Sequence, residues 1–363
     1  MALFFNPIDD ALVLTGLPAD AIARYFTVFD ERCRVTSDLP APQVRHLDLG
    51  IMIVRLENYI GGLTNAIESE LAYCLREPIG HYDATLKLWK EQNTAQIVDF
   101  NNNSHIIIYK EGKQAIELAQ PEYIKAFDEN TNTYYYTYQC LSDEPISSKA
   151  IAKMGHILVR QLYEIVRDRR QNALLAHAAA IGVNGKGALL CARGGHGKST
   201  LALSALIDGF QYVSDDYIVL ARDGEHKNLC AYPIYSCATL TKEMLERLKG
   251  LRTEFLFDNW NKTKDVFNLS AHHSAFVPKL PIKVAIYPNI ANVVEPSIER
   301  TDSNKAMTHF IHSILAQMQD KKHLQSMTKL MIELLKGLDF YQINLSNNLI
   351  ANVKALKSFM EGV

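Results

Sequence analysis

The chain has 363 residues, enough to bury a sizeable core and to divide into two domains. Its 38 Lys and Arg against 40 Asp and Glu leave a net charge of −2, which offers no bulk attraction to nucleic acid or to an anionic membrane, so neither partner is expected. No run reaches the length of a membrane span, residues 1–7 lack the basic and apolar regions of a signal peptide, and six dispersed cysteines without a Cys-x-x-Cys fit reduced thiols, so a cytoplasmic location is expected.

Residues 1–145 carry no catalytic motif. Residues 20–29 fit a short helix capped by Asp20, and the prolines of 38–42 mark a loop. Residues 51–56 and 105–109 read as strands, and Leu63, Ile67, Leu71 and Leu75 give helical spacing over 63–76. Residues 82–89 fit either state. The tyrosine-rich stretch 134–138 predicts a strand with one face packed and the other wet. Together these predict an N-terminal α+β module over 1–145, for substrate recognition or docking.

Residues 146–170 predict an amphipathic helix opening a second domain, 146–363. Next, 175–183, then Asn184-Gly185, then 186–192, carry the strongest hairpin signal in the chain. A two-residue turn there pairs Val183 with Lys186, Ile181 with Ala188 and Ala179 with Leu190. Continued, it sets His177 opposite Ala192, beside the next loop. The competing reading is a buried histidine satisfied by backbone.

That loop is Ala192-Arg-Gly-Gly-His-Gly-Lys198-Ser-Thr, a G-x-x-x-x-G-K-[ST] pattern with alanine in first place, between an apolar strand and a helix ending at Gly209. Gly194, Gly195 and Gly197 allow backbone N–H groups to turn inward around phosphate oxygens, with Arg193 and His196 interspersed and a helix N-terminus behind. Lys198 is then placed to reach the outer phosphates and Ser199 to ligate Mg²⁺, with Thr200 completing the motif.

After the helix, a strand over 210–214, expected beside the phosphate-loop strand, runs into Asp215-Asp216. Ligands gather at the carboxyl edge of such sheets, and two adjacent carboxylates can divide metal binding from proton abstraction. Farther on, 242–249 predicts a helix, 282–287 a strand, 303–336 one or two helices, and 340–345 a strand before a closing helix. Residues 261–264 are similar to a guanine-reading Asn-Lys-x-Asp, but Lys264 replaces the carboxylate, which weakens a GTPase reading. His272-His273 reads as a surface or packing feature rather than a metal site.

The order His177-Ala-Ala-Ala-Ile, Gly-containing turn, phosphate loop to Lys198-Ser-Thr, Gly209-Phe210, then Val213-Ser-Asp215-Asp216-Tyr resembles the HPr kinase/phosphorylase superfamily. The resemblance covers about 175–220. It implies an α/β P-loop kinase domain of the HPr kinase/phosphoenolpyruvate carboxykinase type, using ATP and Mg²⁺. By that resemblance Asp215 is the base for the acceptor hydroxyl, His177 assists near the transferred phosphate, and Asp216 joins Ser199 and Asp215 at the metal. The N-terminal half does not match HPr kinase itself, and the Gly-rich segment by which such kinases engage their protein substrate is not found. The implied acceptor is a serine or threonine of a peptide or protein, or a small-molecule alcohol, and homo-oligomerisation stays open. Two other readings remain: a nucleotide-sensing module without turnover, and a carboxykinase-like enzyme, disfavoured for want of a basic cluster.

Overall fold

A computed structural model describes residues 41–60, 63–91, 107–111, 114–120, 123–139, 158, 161–166, 168–170, 172–192, 194–224, 228–234, 236–258, 264–302, 307–308, 310–311 and 321–363. The helix expected over 20–29, most of that over 146–170, and the segment 261–263 lie outside the described residues. The chain divides into two compact units: one of Met1–Asp48, Met52–Glu68 and Leu75–Asp168, the other of Leu49–Ile51, Ser69–Cys74 and Arg169–Val363. Among the described residues no helix is long and apolar enough to cross a membrane.

The first unit is built on a mixed sheet. Its described strands are β1 (Gln43–Asp48), β2 (Ile53–Asn58), β3 (Leu75–Arg76), β4 (Ala84–Glu91), β5 (Ile107–Glu111), β6 (Gln114–Gln120), β7 (Tyr123–Asp128) and β8 (Thr133–Gln139). They run in the order β3-β1-β2-β4-β8-β7-β6-β5, with β2, β4 and β8 mutually parallel. Helix α1 (Leu63–Leu71) follows β2.

The stretch 82–89, open between helix and strand, is strand from Ala84 on, and two expectations are corrected. In the strand Ala84, Thr85, Leu86, Leu88 and Trp89 are all buried, and burial on both faces erases the alternation that would have marked them. For the same reason the tyrosine strand has no wet face, since Tyr134, Tyr135, Tyr136 and Thr137 are all buried in the sheet interior. The helix over 63–76 stops at Leu71. Leu75, which kept the helical spacing, pairs instead with Leu47 as part of β3.

The second unit carries β9 (Leu174–Ala176), β10 (Ala179–Val183), β11 (Lys186–Leu190), α2 (Lys198–Ile207), β12 (Gln211–Ser214), β13 (Ile218–Arg222), β14 (Leu229–Pro233) and β15 (Cys237–Leu240). There follow α3 (Lys242–Arg247), β16 (Glu254–Asp258), β17 (Asp265–Asn268), β18 (Leu280–Val293), β19 (Ser297–Arg300), α4 (Lys321–Leu335), β20 (Asp339–Ser346) and α5 (Leu349–Gly362). The main sheet has the order β12-β10-β11-β18-β14-β13-β9, with β20 beside β18 and β19 beside β20. Strands β15, β17 and β16 form a separate small sheet.

Strands β11, β18 and β20 are parallel, and β10 is antiparallel to both β11 and β12. The carboxyl ends of β11, β12, β18 and β20 therefore share one edge. Against this sheet Leu201, Leu206, Val353, Leu356 and Met360 pack on Ala179, Ile181, Ala188 and Leu190. Helix α2 is buried nearly all round, from Leu201 to Leu206. It ends in a Schellman arrangement, in which Phe210 N donates to Ala205 O (3.1 Å), Gly209 N donates to Leu206 O (3.2 Å) and Gly209 takes φ 85°.

The hairpin pairs Val183 with Lys186, Ile181 with Ala188 and Ala179 with Leu190, as the two-residue turn predicts. Asn184 and Gly185 have φ of 51° and 76°, both positive as a type I′ turn requires. The pairing ends at Ala179, so His177 does not lie opposite Ala192 in the ladder. Residues 175–183 are not one strand but two, broken at His177-Ala178, with β9 pairing β13 and β10 pairing β11 and β12. A further correction concerns β12: it adjoins β10, one strand removed from β11, not β11 itself.

Candidate active site

The loop after β11 departs from the sheet where Cys191 N donates to Ile286 O at 3.1 Å. Gly195 and Gly197 have φ of 84° and 89°, a region closed to most side chains. At Gly197 a Cβ would also fall 2.7 Å from Leu345 Cδ1, so a side chain there would have to displace that methyl group as well. Gly197 is the N-cap residue of α2 and has no side chain to satisfy the first-turn N–H groups. Those donors and the positive end of the helix remain available to an anion. Gly194 and Gly195 are exposed, while Ser199 and Thr200 are half-buried in the first turn. His196 Nδ1 lies 3.2 Å from Gly194 O, and its ring stands 5.9 Å from that of Tyr287. Arg193 lies outside the described residues.

Lys198 turns its side chain toward the acidic pair at the end of β12. Its Nζ donates to Asp215 Oδ1 at 2.5 Å and to Asp216 Oδ1 at 3.2 Å, and His177 Nε2 lies 3.2 Å from the same Asp216 oxygen. Lys198, Asp215, Asp216 and His177 thus form one connected cluster, drawn from a helix start, a strand end and the break between β9 and β10. Lys198 and Asp215 are buried, with side chains 6% and 1% exposed, whereas Asp216 and His177 are 21% and 23% exposed. Asp216 holds φ 88°, rare for a residue with a Cβ, and this bend aims its carboxylate back at Lys198 and His177.

The electrostatics follow from this packing. Burial disfavours the Lys198 ammonium, but the Asp215 and Asp216 carboxylates outweigh it and raise its pKa above that of an ordinary lysine. Burial likewise opposes charge on Asp216, yet Lys198 and the His177 contact hold that carboxyl well below the usual range. Tyr212, two residues before Ser214 and on the same strand face, is fully buried. Burial raises its phenol pKa, and Asp215 and Asp216 add to the effect.

Among the described residues no group of three or more His, Cys, Asp or Glu side chains is arranged to hold a metal by itself. His272 and His273 form no such site either: His272 Nε2 accepts from Arg252 N at 3.0 Å. The oxygens of Ser199, Asp215 and Asp216 suit a hard cation that keeps waters and shares substrate phosphates, which is how Mg²⁺ is commonly held.

Of the residues singled out in the sequence, the structure brings together His177, Lys198, Asp215 and Asp216, with the glycines, Ser199 and Thr200 adjoining. Tyr212, Ile290 and Leu345 were not foreseen. Tyr212 carried a local signal in its two-residue offset from Ser214, whereas Ile290 and Leu345 reach the loop only through the non-local pairing of β18 and β20.

No protein-family model matches the sequence, and no curated protein matches it. Among solved structures, the chain is distantly similar to the Hpr(Ser) kinase/phosphatase from Coxiella burnetii, at 12% identity and a TM-score of 0.28, over 52% of this chain and 97% of that one.

Proposed function

We propose that the protein transfers the γ-phosphoryl group of ATP to a hydroxyl on a peptide, a protein or a small molecule. The observation that carries this reading is the Lys198–Asp215–Asp216–His177 cluster beside a glycine loop that opens a helix. The loop N–H groups and the α2 N-terminus bind and orient the phosphates. Lys198 leaves Asp215 for the phosphate oxygens and neutralises their charge. Asp215, released, accepts the proton of the acceptor hydroxyl as the new O–P bond forms and the bond to the β-phosphate oxygen breaks, leaving ADP. His177 holds Asp216 in place. Ser199 with Asp215 and Asp216 would hold Mg²⁺, which supplies charge neutralisation on the phosphates.

A second reading, a nucleotide sensor without turnover, is favoured by the same Lys198–Asp215 contact, which bound phosphates would break. Mass spectrometry of the protein incubated with Mg²⁺-ATP and a lysate of its source organism separates the two. Phosphate gained by a lysate component with wild type, and reduced about 10²–10⁴-fold with Asp215→Asn while ATP still binds, supports the kinase. ATP binding without phosphorylation in either sample supports the sensor. Full transfer by Asp215→Asn removes Asp215 as base.

A further inference from the structure

The groups at the carboxyl edge of the main sheet stand in a row. At one end Asp215 and Asp216 follow β12, with His177 just before β10, which runs antiparallel and so begins at this edge. In the middle the glycine loop leaves β11. At the other end β18 and β20 continue past the loop: Cys191 makes its last sheet contact at Ile286, whereas β18 runs on to Val293 and β20 to Ser346. The two strands thus stand beside the loop as a wall. We propose that the amide-bearing face of this wall, Asn289 and Gln342 about Asn344, holds the nucleoside of the nucleotide whose phosphates occupy the loop.

The transfer itself sets a direction. The acceptor meets the γ-phosphoryl group at Asp215, and an in-line displacement puts the leaving ADP on the far side. Along this edge, away from Asp215 means toward β18 and β20. The two faces of the wall differ. On one, Ile290 and Leu345 press on Gly197, whose Cβ would fall 3.6 Å and 2.7 Å from them, and the loop is closed there. On the other, the ring of His196 in the loop stands 5.9 Å from that of Tyr287, and a Cβ at Gly194 or Gly195 would meet nothing within 4 Å. Tyr287 lies two residues before Asn289 and opposite Gln342, and Asn289 lies opposite Asn344, so these four share the face that His196 reaches.

The chemistry of that face fits a base and a ribose. Asn344 is a hub: its Oδ1 accepts from Asn289 Nδ2 at 3.1 Å and from Gln342 Nε2 at 2.7 Å, and its Nδ2 donates to Ser297 Oγ at 3.1 Å. Both outer amides are thereby fixed with nitrogen inward, which turns Asn289 Oδ1 and Gln342 Oε1 away from the hub. Neither oxygen has a hydrogen bond among the described residues, and each nitrogen keeps a second N–H. The pair therefore offers acceptors and donors whose orientation is set before a ligand arrives, beside the rings of Tyr287 and His196. A nucleoside matches this with a flat ring, polar base edges and ribose hydroxyls. The amides are half-buried rather than enclosed, as suits a product that must leave.

This site rests on reading the loop as a phosphate site with the acceptor beside Asp215, and its test separates the two. Calorimetry compares Mg²⁺-ATP with Mg²⁺-tripolyphosphate, which has the phosphates and no nucleoside, on wild type, on Asn289→Ala/Gln342→Ala and on Gln342→Met. Wild type is expected to bind ATP at least about tenfold more tightly than tripolyphosphate. The double variant should lose about tenfold for ATP with tripolyphosphate within about twofold, and that retained affinity shows that it folds. Gln342→Met, similar in length and without the amide, is expected to lose a few-fold for ATP alone and decides the matter if the double variant does not fold. Equal wild-type affinities, or equal losses for both ligands in a folded variant, overturn the nucleoside site. If wild type binds neither ligand, the phosphate loop fails and this site with it. Discriminating binding without phosphoryl transfer leaves the nucleoside site standing and removes only the kinase.

Discussion

Lys198 Nζ and Asp215 Oδ1 lie 2.5 Å apart, at the start of a helix and the end of a strand that are neighbours only in space. The pair is held away from water, so each charge depends on the other. Removing the cation alone leaves two adjacent carboxylates facing each other in a buried site. Lys198→Met is expected to destabilise the protein by about 3–5 kcal/mol, the usual cost of leaving a buried ion without its partner. Adding Asp215→Asn to Lys198→Met should recover part of that loss. Urea unfolding of the three variants measures it, and additive losses would show that the contact contributes nothing to stability.

Gly195 and Gly197 share a left-handed backbone but differ in surroundings. An alanine at Gly195 meets nothing within 4 Å, so Gly195→Ala is expected to cost about 1–2 kcal/mol of backbone strain. Gly197→Ala adds the approach to Leu345 and is expected to cost more and to weaken ATP binding further. Thermal unfolding and nucleotide titration of the pair check the order. A larger effect at Gly195 would contradict the described loop.

His177 reaches the cluster through Asp216, at 3.2 Å. His177→Ala should therefore lower the transfer rate, by up to about 10²-fold where a group that positions the acidic pair is lost, while leaving ATP affinity nearly unchanged. Steady-state kinetics with direct binding measurements decides this. A matching loss of ATP affinity would place the histidine in nucleotide binding instead.

The pH dependence of stability should carry the mark of Glu70, which is 1% exposed in α1 and whose pKa burial raises well above 4.5. A raised carboxyl keeps its proton in the folded chain at a pH where the unfolded chain has lost it. Its contribution is complete below about pH 4.5 and declines as pH rises toward the folded value. Glu70→Gln should flatten that decline, seen as a smaller fall in midpoint temperature between acid and neutral pH.

The parts legible in the sequence were those whose chemistry is local. Asn184-Gly185 announces its turn because few residues accept two positive φ values in succession. The glycines before Lys198 announce a loop for the same reason, and Asp215-Asp216 stands out by falling at the end of a β-prone run. What stayed hidden depends on neighbours distant in sequence. Strands β4 and β8 are buried on both faces, so no alternation marks them. The break at His177-Ala178 carries no Gly, Pro or Asn to mark it and arises because β9 and β10 pair with different strands. Leu75 satisfies a helical spacing by coincidence and is claimed by Leu47. Ile290 of β18 and Leu345 of β20 crowd Gly197 from strands that no spacing along the chain brings together.

Asp216 occupies a backbone conformation that glycine or asparagine would adopt at lower cost. Any attempt to make the protein hardier by matching each residue to its local backbone would replace this one early. The same replacement would cut the tether to Lys198 and His177. Position 216 is thus where engineering for durability and retention of chemistry part company, and a heat-resistant derivative should be chosen with that aspartate held fixed.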